Sequence, residues 1–201
     1  MMARVFGFFA ALFVTASAHS AVLAAQAAPD FTAIDSISGK SITLSQFKGK
    51  IVVLEWTNAL CPFVKKHYGI GNMQKLQQAA TRDGVVWISI NSGAEGNQGF
   101  LADDAAVKAE IADKKSAPSY YVRDTQGKIG KLFAAKTTPH MFVIDASGAL
   151  VYQGAIDSIS SADPADIAGS TNFVTQALAE IKTGKPVSNA MTQPYGCSVK
   201  Y

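Results

Sequence analysis

Two cysteines, 136 positions apart, are the only residues of this chain able to make and break a sulfur–sulfur bond. Cys61 follows the apolar run Ile51-Val52-Val53-Leu54-Glu55-Trp56 and directly precedes Pro62. Proline suits the first turn of a helix, where its missing N–H would have had no intrahelical partner. That places Cys61 at a helix mouth, where unpaired N–H groups and the positive dipole end favour a thiolate. Lys65 and Lys66, in the next turn, add positive charge. The competing reading is a buried, inert thiol, but the placement favours a nucleophile toward a peroxide or a disulfide. Cys197 lies in an aperiodic tail and leaves three readings open. It is a permanent staple to Cys61, with a chain-entropy ceiling of roughly 5 kcal/mol; or a resolving cysteine that a mobile tail brings to an oxidised Cys61; or a link between chains.

The compartment must allow such chemistry. The start, MMARVFGFFAALFVTASAHSAVLAAQA, has one Arg, an apolar run from Val5 to Val14 and small residues ahead of a cut site. It reads as a secretory leader over 1–27, with Ala25-Gln26-Ala27 as the cleavage motif and Ala16-Ser17-Ala18 as an alternative. A membrane anchor needs about 20 apolar residues, and Ser17, His19 and Ser20 interrupt the run. Export, to the periplasm in a bacterium, puts both cysteines where disulfides persist. The net charge of +3 is too small to argue for nucleic acid or for a membrane surface after leader cleavage. The remaining length fits one domain over 28–184, followed by a tail over 185–201.

The elements that must hold Cys61 follow from periodicity and punctuation. Short strands are expected around 31–34 and 41–44, and then a helical turn capped by Ser45 and ending at Gly49. Residues 51–56 and 84–92 are apolar runs that read as strands buried on both faces. Between them, Val64, Tyr68, Met73, Leu76 and Ala80 trace a helical stripe that Gly69 and Gly71 break into two pieces. A helix capped by Asp103 or Asp104, a strand at Ser119–Asp124 and a short helix near Gly127–Ala135 follow. A hairpin of 140–145 and 149–154 comes next, and then a helix over 171–183. The order implies a central mixed sheet, parallel in its first half, with helices on both faces.

This order, a cysteine opening the first major helix, and a Thr-Pro ahead of the hairpin resemble the thioredoxin-like fold. The closest branch is the redoxin branch of peroxiredoxin-like and TlpA-like proteins. APDFTAIDSISGKSITLSQFKGKIVVLEW resembles that branch's N-terminal hairpin extension and first core strand, and TTPHMFVIDASGALVYQGAID its second half. The resemblance implies a cis bond at Thr138-Pro139 and His140 near the sulfur, unless His140 turns into the core of the hairpin strand; Trp56 and Asn58 flank the cysteine as pocket candidates, Trp56 equally a core residue, and Pro62, Thr138, Pro139 and His140 complete the expected substrate surround. It also implies that an acid at Glu55 transfers protons, the alternative being a pair with a lysine. His67, nearly two turns along the helix, reads as a surface or loop-facing residue. The chain departs from two patterns of the fold. Val64 replaces the second cysteine of C-x-x-C, while Asn58 and Leu54 replace the Thr and Pro of P-x-x-x-T-x-x-C.

The resulting expectation is an exported thiol-dependent oxidoreductase in which Cys61 is the nucleophile and Cys197 resolves the product. It needs no cofactor, and its partner is a thiol reductant, a disulfide-bearing protein or a small peroxide. Two alternatives stand beside it. Cys61, Cys197 and His140 would form a soft site suited to Cu(I), or the domain is a binding protein stapled by its disulfide without turnover.

Overall fold

The computed structural model describes residues 26–201. The expected leader lies outside them except for Gln26 and Ala27. These form β1 (Gln26–Ala27), paired antiparallel with Ala149 and Leu150. A hairpin of β2 (Thr32–Ile34) and β3 (Ser41–Thr43) follows, its turn tied by Asp35, which accepts from the Ile37 and Ser38 amides. The expected helical turn is a 3-10 turn, Leu44–Phe47. It opens at Thr43 and not at Ser45, because Gln46 reaches back to accept from the Thr43 amide at 3.1 Å.

The first core strand is β4 (Val52–Trp56), buried at every position. The broken stripe becomes α1 (Pro62–Gly69) and α2 (Asn72–Arg82), parted at Gly71. Then come β5 (Val86–Asn91) and α3 (Asp104–Lys114), whose cap Asp103 accepts from the Ala106 amide at 2.8 Å. After β6 (Tyr120–Arg123) and α4 (Lys128–Leu132), a two-residue strand, β7 (Thr137–Thr138), precedes the hairpin of β8 (His140–Ile144) and β9 (Ala149–Gly154). The last helix is α5 (Phe173–Lys182), capped by Asn172, which accepts from the Thr175 amide.

The main sheet runs β1-β9-β8-β4-β5-β6, with β4, β5 and β6 parallel and the other pairs antiparallel. Alternation sorts its side chains into two cores. Val52, Leu54, Trp56, Ile88, Ile90, Phe142 and Ile144 pack with residues of the N-terminal hairpin, the 3-10 turn and α4. Val53, Trp87, Met141 and Val143 pack on the other face with α1, α2 and α5, and Cys61 belongs to this second core. Each fully buried apolar side chain contributes about 1.5–3 kcal/mol. Both faces of β4 and β8 are therefore closed, and the end of β4 is a rigid support for the loop that carries Cys61.

The tail that shows no periodicity is nonetheless ordered against the domain. β10 (Cys197–Ser198) pairs antiparallel with β7, Cys197 opposite Thr138 and Ser198 opposite Thr137. The Val199 amide continues the ladder to the Lys136 carbonyl at 3.0 Å. Tyr201 then lies over Gly127 and Gly130, donates to the Ala135 carbonyl at 2.8 Å and carries Lys131 Nζ 5.5 Å above its ring. A Cβ on Gly130 would stand 2.5 Å from the Tyr201 ring and hydroxyl, so this slot exists because that position is glycine. Gly130→Ala is expected to displace Tyr201 and to cost about 1–3 kcal/mol, as overpacking does. Hydrogen exchange at the Val199 amide reads the effect: faster exchange is expected, and unchanged protection would show that Tyr201 does not anchor the tail.

Candidate active site

The turn after β4 delivers Cys61 to the N-cap of α1. Its amide donates to the Asn58 carbonyl at 3.0 Å, and its own carbonyl accepts from the Val64 and Lys65 amides. Pro62 occupies the first helical position, as the sequence implies. The Cys61 sulfur is 3.1 Å from the Thr138 carbonyl oxygen and 2.7 Å from the Cys197 sulfur. The Thr138–Pro139 bond is cis. Both cysteines are free thiols; Cys61 has no exposed surface, and Cys197 is half-buried. Gly196 makes this approach possible. Its φ of 135° is unfavourable for other residues, and a Cβ there would fall 2.2 Å from the Thr138 carbonyl oxygen.

The thiol is not activated by the lysines that follow it. Lys65 is exposed, and Lys66 is buried in an ion pair with Asp157 at 3.2 Å. Burial pushes the Cys61 thiol up, yet contact with the Cys197 thiol and with the Cys197 and Val64 backbone brings it below the ordinary value. Cys197 moves the other way, pushed up to about 11 by burial and by its hydrogen bond and charge interaction with Cys61. The two shifts favour negative charge on Cys61 over Cys197.

Of the residues expected around the substrate, Pro62, Thr138 and Pro139 surround the sulfur pair and three others do not. Trp56 has no exposed surface; its indole donates to Ser92 at 3.1 Å within the first core. Asn58 is a structural brace, its amide donating to the Gln98 carbonyl and its oxygen accepting from the Leu60 amide. His140 pairs across the sheet with Trp56 and stacks on Phe142, ring centroids 4.4 Å apart. Since residues 140, 142 and 144 share a strand face, and Cys61 packs with 141 and 143, His140 is on the wrong side of β8 for the sulfur. The three-ligand copper site is therefore not assembled, and no group of three metal-ligating side chains occurs among the described residues. His67, expected at the surface, is fully buried.

A family model described as AhpC/TSA family matches residues 24–153. The chain belongs to the AhpC/TSA family. Oxidoreductase activity is what that membership supports. No curated protein matches. Among solved structures, a hypothetical protein from Sinorhizobium meliloti superposes with a TM-score of 0.71 at 24% identity, over 88% of this chain and 93% of the other. An uncharacterized conserved protein from Geobacillus kaustophilus gives 0.72 at 23% identity, over 90% and 94%. The thioredoxin domain of a thiol-disulfide oxidoreductase from Bacteroides vulgatus gives 0.51 at 23%, over 65% and 88%. At these identities the likeness establishes the fold, which is thioredoxin-like as the order of elements implies.

Two buried polar networks flank the site. Asp157 lies between Lys66 and Tyr195: it accepts from the Tyr195 hydroxyl, from the Ile159 amide at 3.2 Å and from Ser170 at 3.3 Å, while Lys66 also donates to the Ile159 carbonyl at 2.9 Å. Tyr195 is two residues before Cys197, so this network ties α1 to the tail. Nothing in the sequence around Asp157 or Tyr195 marks them, since their partners are distant in the chain. Glu55 centres the other network, accepting from Tyr68, Gln77, Trp87 and Ser89. Burial raises its pKa against those bonds and the charge of Lys114. Neither sulfur is among its hydrogen-bond partners, and Lys114 acts on it through charge without forming an ion pair.

Both networks make testable demands. Asp157→Asn leaves Lys66 as an uncompensated buried charge and is expected to cost roughly 3–5 kcal/mol in denaturant unfolding, much of it recovered when Lys66→Met is added. Acid sensitivity provides the second test. Burial lowers His67 and His140 from 6.5 to about 4 each, with Asp157 opposing the shift at His67 and Lys136 reinforcing it at His140. Between those values the unfolded chain binds protons that the folded chain refuses, so their contribution falls as pH drops from about 6.5 to 4. Glu55 acts with the opposite sign, losing stability as pH rises above its ordinary range. His140→Gln should therefore reduce the slope of stability against pH in this window by about one proton, measured as urea stability at several pH values. An unchanged slope would show that His140 protonates freely in the folded state.

Proposed function

We propose that this protein is an exported thiol-dependent oxidoreductase whose redox couple is Cys61 and Cys197, cycling between a dithiol and an intramolecular disulfide. The observation that carries this is the placement of two thiols 2.7 Å apart at a helix N-terminus, beside a cis proline, with the thiolate favoured on one of them. The pairing of β10 with β7 within one chain supports intramolecular chemistry over a link between chains. The tail reaches the site docked, not as the free arm that resolving cysteines often need. Partners of matching chemistry are a thiol reductant and a disulfide-bearing protein. A groove of about 650 Å³ beside the loop that leads into Cys61, lined by Leu60, Lys65, Gln74 and Lys114, offers such a protein a surface.

A hydroperoxide is the second substrate class, supported by the AhpC/TSA membership. The enclosure of Cys61 beneath the tail weighs against direct attack on a peroxide while Cys197 is docked. Export rests on residues 1–27, and no helix among the described residues is long and apolar enough to cross a membrane. Expressed with its leader in a bacterium, the protein is expected in the periplasm with Cys61 and Cys197 joined. Cys61→Ser and Cys197→Ser are each expected to reduce turnover with a disulfide-bonded protein to background. Full activity in either variant, or a permanently irreducible bond in the wild type, would remove this reading in favour of a staple.

A further inference from the structure

A cavity on the face of β8 turned away from Cys61 carries chemistry that the sulfur pair does not use. We propose that it is a carboxylate-binding site in which His140 donates a hydrogen bond and Lys136 supplies the charge. The site stands apart from the redox-couple reading. No cysteine lines it, and His140 shares a strand face with Phe142 of the first core, whereas Cys61 belongs to the second.

The cavity holds about 270 Å³, and its walls include Lys136, His140 and Gln153 from the domain and Met191, Gln193 and Pro194 from the tail. Gln153 pairs across the hairpin with Phe142, so its side chain emerges on the same face as His140. The tail wall is tied down. The Gln153 amide donates to the Ala190 carbonyl at 3.0 Å, and the Thr192 amide donates to the Gln153 carbonyl at 3.1 Å. The Thr192 hydroxyl bonds with that of Tyr152 at 2.7 Å and accepts from the Ala155 amide at 2.9 Å. Gly154 makes room for it, since a Cβ there would stand 2.2 Å from the Thr192 oxygen. A preformed cavity spares its ligand the cost of ordering the walls.

The position of one ring proton decides what the cavity accepts. The Lys136 amide donates to His140 Nδ1 at 3.2 Å, so the neutral ring carries its proton on Nε2. His140 is 4% exposed, and Nε2 has no hydrogen-bond partner among the described residues. A buried donor without an acceptor is costly, and a ligand acceptor in the cavity removes that cost. The same proton excludes a metal ion, which would need the Nε2 lone pair. Moving the proton to Nδ1 would set it against the Lys136 N–H, so His140 and Met191 do not make a soft metal site.

Charge selects an anion among acceptors. Lys136 is exposed and forms no ion pair among the described residues, and no carboxylate is among those lining the cavity. The charge that acts on the buried His140 ring is that of Lys136. A carboxylate has an oxygen for the Nε2–H and another for the ammonium, and charge-assisted bonds are the stronger kind. The Gln153 and Gln193 carboxamides offer partners to an adjoining amide, while Met191 and Pro194 give apolar cover. The volume falls just below the range of about 300–1,000 Å³ for sites that hold drug-sized molecules. Its occupant is therefore a small organic acid or the C-terminal end of a peptide, and both present the same carboxylate.

The test follows the His140 ring by nitrogen-detected NMR in the isotope-labelled full chain. Without ligand, the proton is expected on Nε2; a proton on Nδ1 would overturn the proposal. Three probes are then titrated: butyrate, acetyl-Gly-Ala with a free carboxylate, and acetyl-Gly-Ala amide. A saturable shift of the Nε2 signal at about 1–10 mM is expected with at least one of the two acids and not with the amide. The acid that saturates at the lower concentration identifies the source, small molecule or peptide end. Lys136→Gln, at an exposed position, is expected to weaken the binding about threefold or more. No shift at His140 with either acid, an equal response to the amide, or undiminished binding in Lys136→Gln would each refute the site while leaving the redox couple intact.

Discussion

The pairing of Cys197 and Ser198 with Thr137 and Thr138 is the constraint from which the site follows. Two residues of backbone ladder bring together sulfurs 136 positions apart. Loop-closure entropy grows only as the logarithm of loop length, so what must be overcome is less the distance in sequence than the ordering of the tail itself. The tail meets that cost with anchors on both sides of Cys197: Tyr195 in the Asp157 network, and Tyr201 in the slot over Gly127 and Gly130. Held from both ends, Cys197 meets Cys61 at an effective concentration far above that of a free thiol.

The electrostatics of the site reflect the same economy. A helix-mouth thiolate next to lysines would attract any small electrophile, but here Lys65 is left in solvent and Lys66 is drawn into the protein by Asp157. His67 and His140 are held neutral by burial. What stabilises the charge on Cys61 is then neutral: a neighbouring thiol and backbone amides. Those that Cys197 supplies act at contact distance and only while the tail is docked. The acidity of Cys61 is thus a property of the closed site and not of α1 alone.

Most of the fold was legible because its strands and helices carry their own signals. The β-branched runs of β4 and β5, the cap Asp103 and the glycine break between α1 and α2 all read locally. The cis bond at Thr138–Pro139 came through resemblance. What escaped was set by partners far away in sequence. β10 has two residues and no periodicity, so nothing in the tail could announce a strand. His140 was placed beside the sulfur because proximity in sequence to Pro139 was legible and strand face was not. His140-Met141-Phe142-Val143-Ile144 is buried on both sides, and alternation carries no face information when both faces are apolar. His67 reads as a surface residue for a related reason: its pairing with Asp157 is invisible until that residue, some ninety positions on, is folded against it.

The loss of C-x-x-C changes what reduction does to the molecule. In that motif both sulfurs sit on one helical turn, and breaking the bond leaves the backbone where it was. Here the second sulfur is on the tail, and in the proposed couple a bond between Cys61 and Cys197 would be one more tie of the tail to the domain. Oxidation adds a covalent restraint to the Tyr195, β10 and Tyr201 anchors, and reduction removes it while leaving those three in place. The tail's docking and the redox state are linked, so whatever favours the docked tail also favours the bond. The same linkage explains why the anchors surround the sulfur on both sides. With one anchor the tail could swing Cys197 away after each reduction, and the favourable thiolate on Cys61 would be lost with its donor. With anchors on both sides, the dithiol keeps the geometry of the disulfide, and the chemistry can run in either direction from the same arrangement.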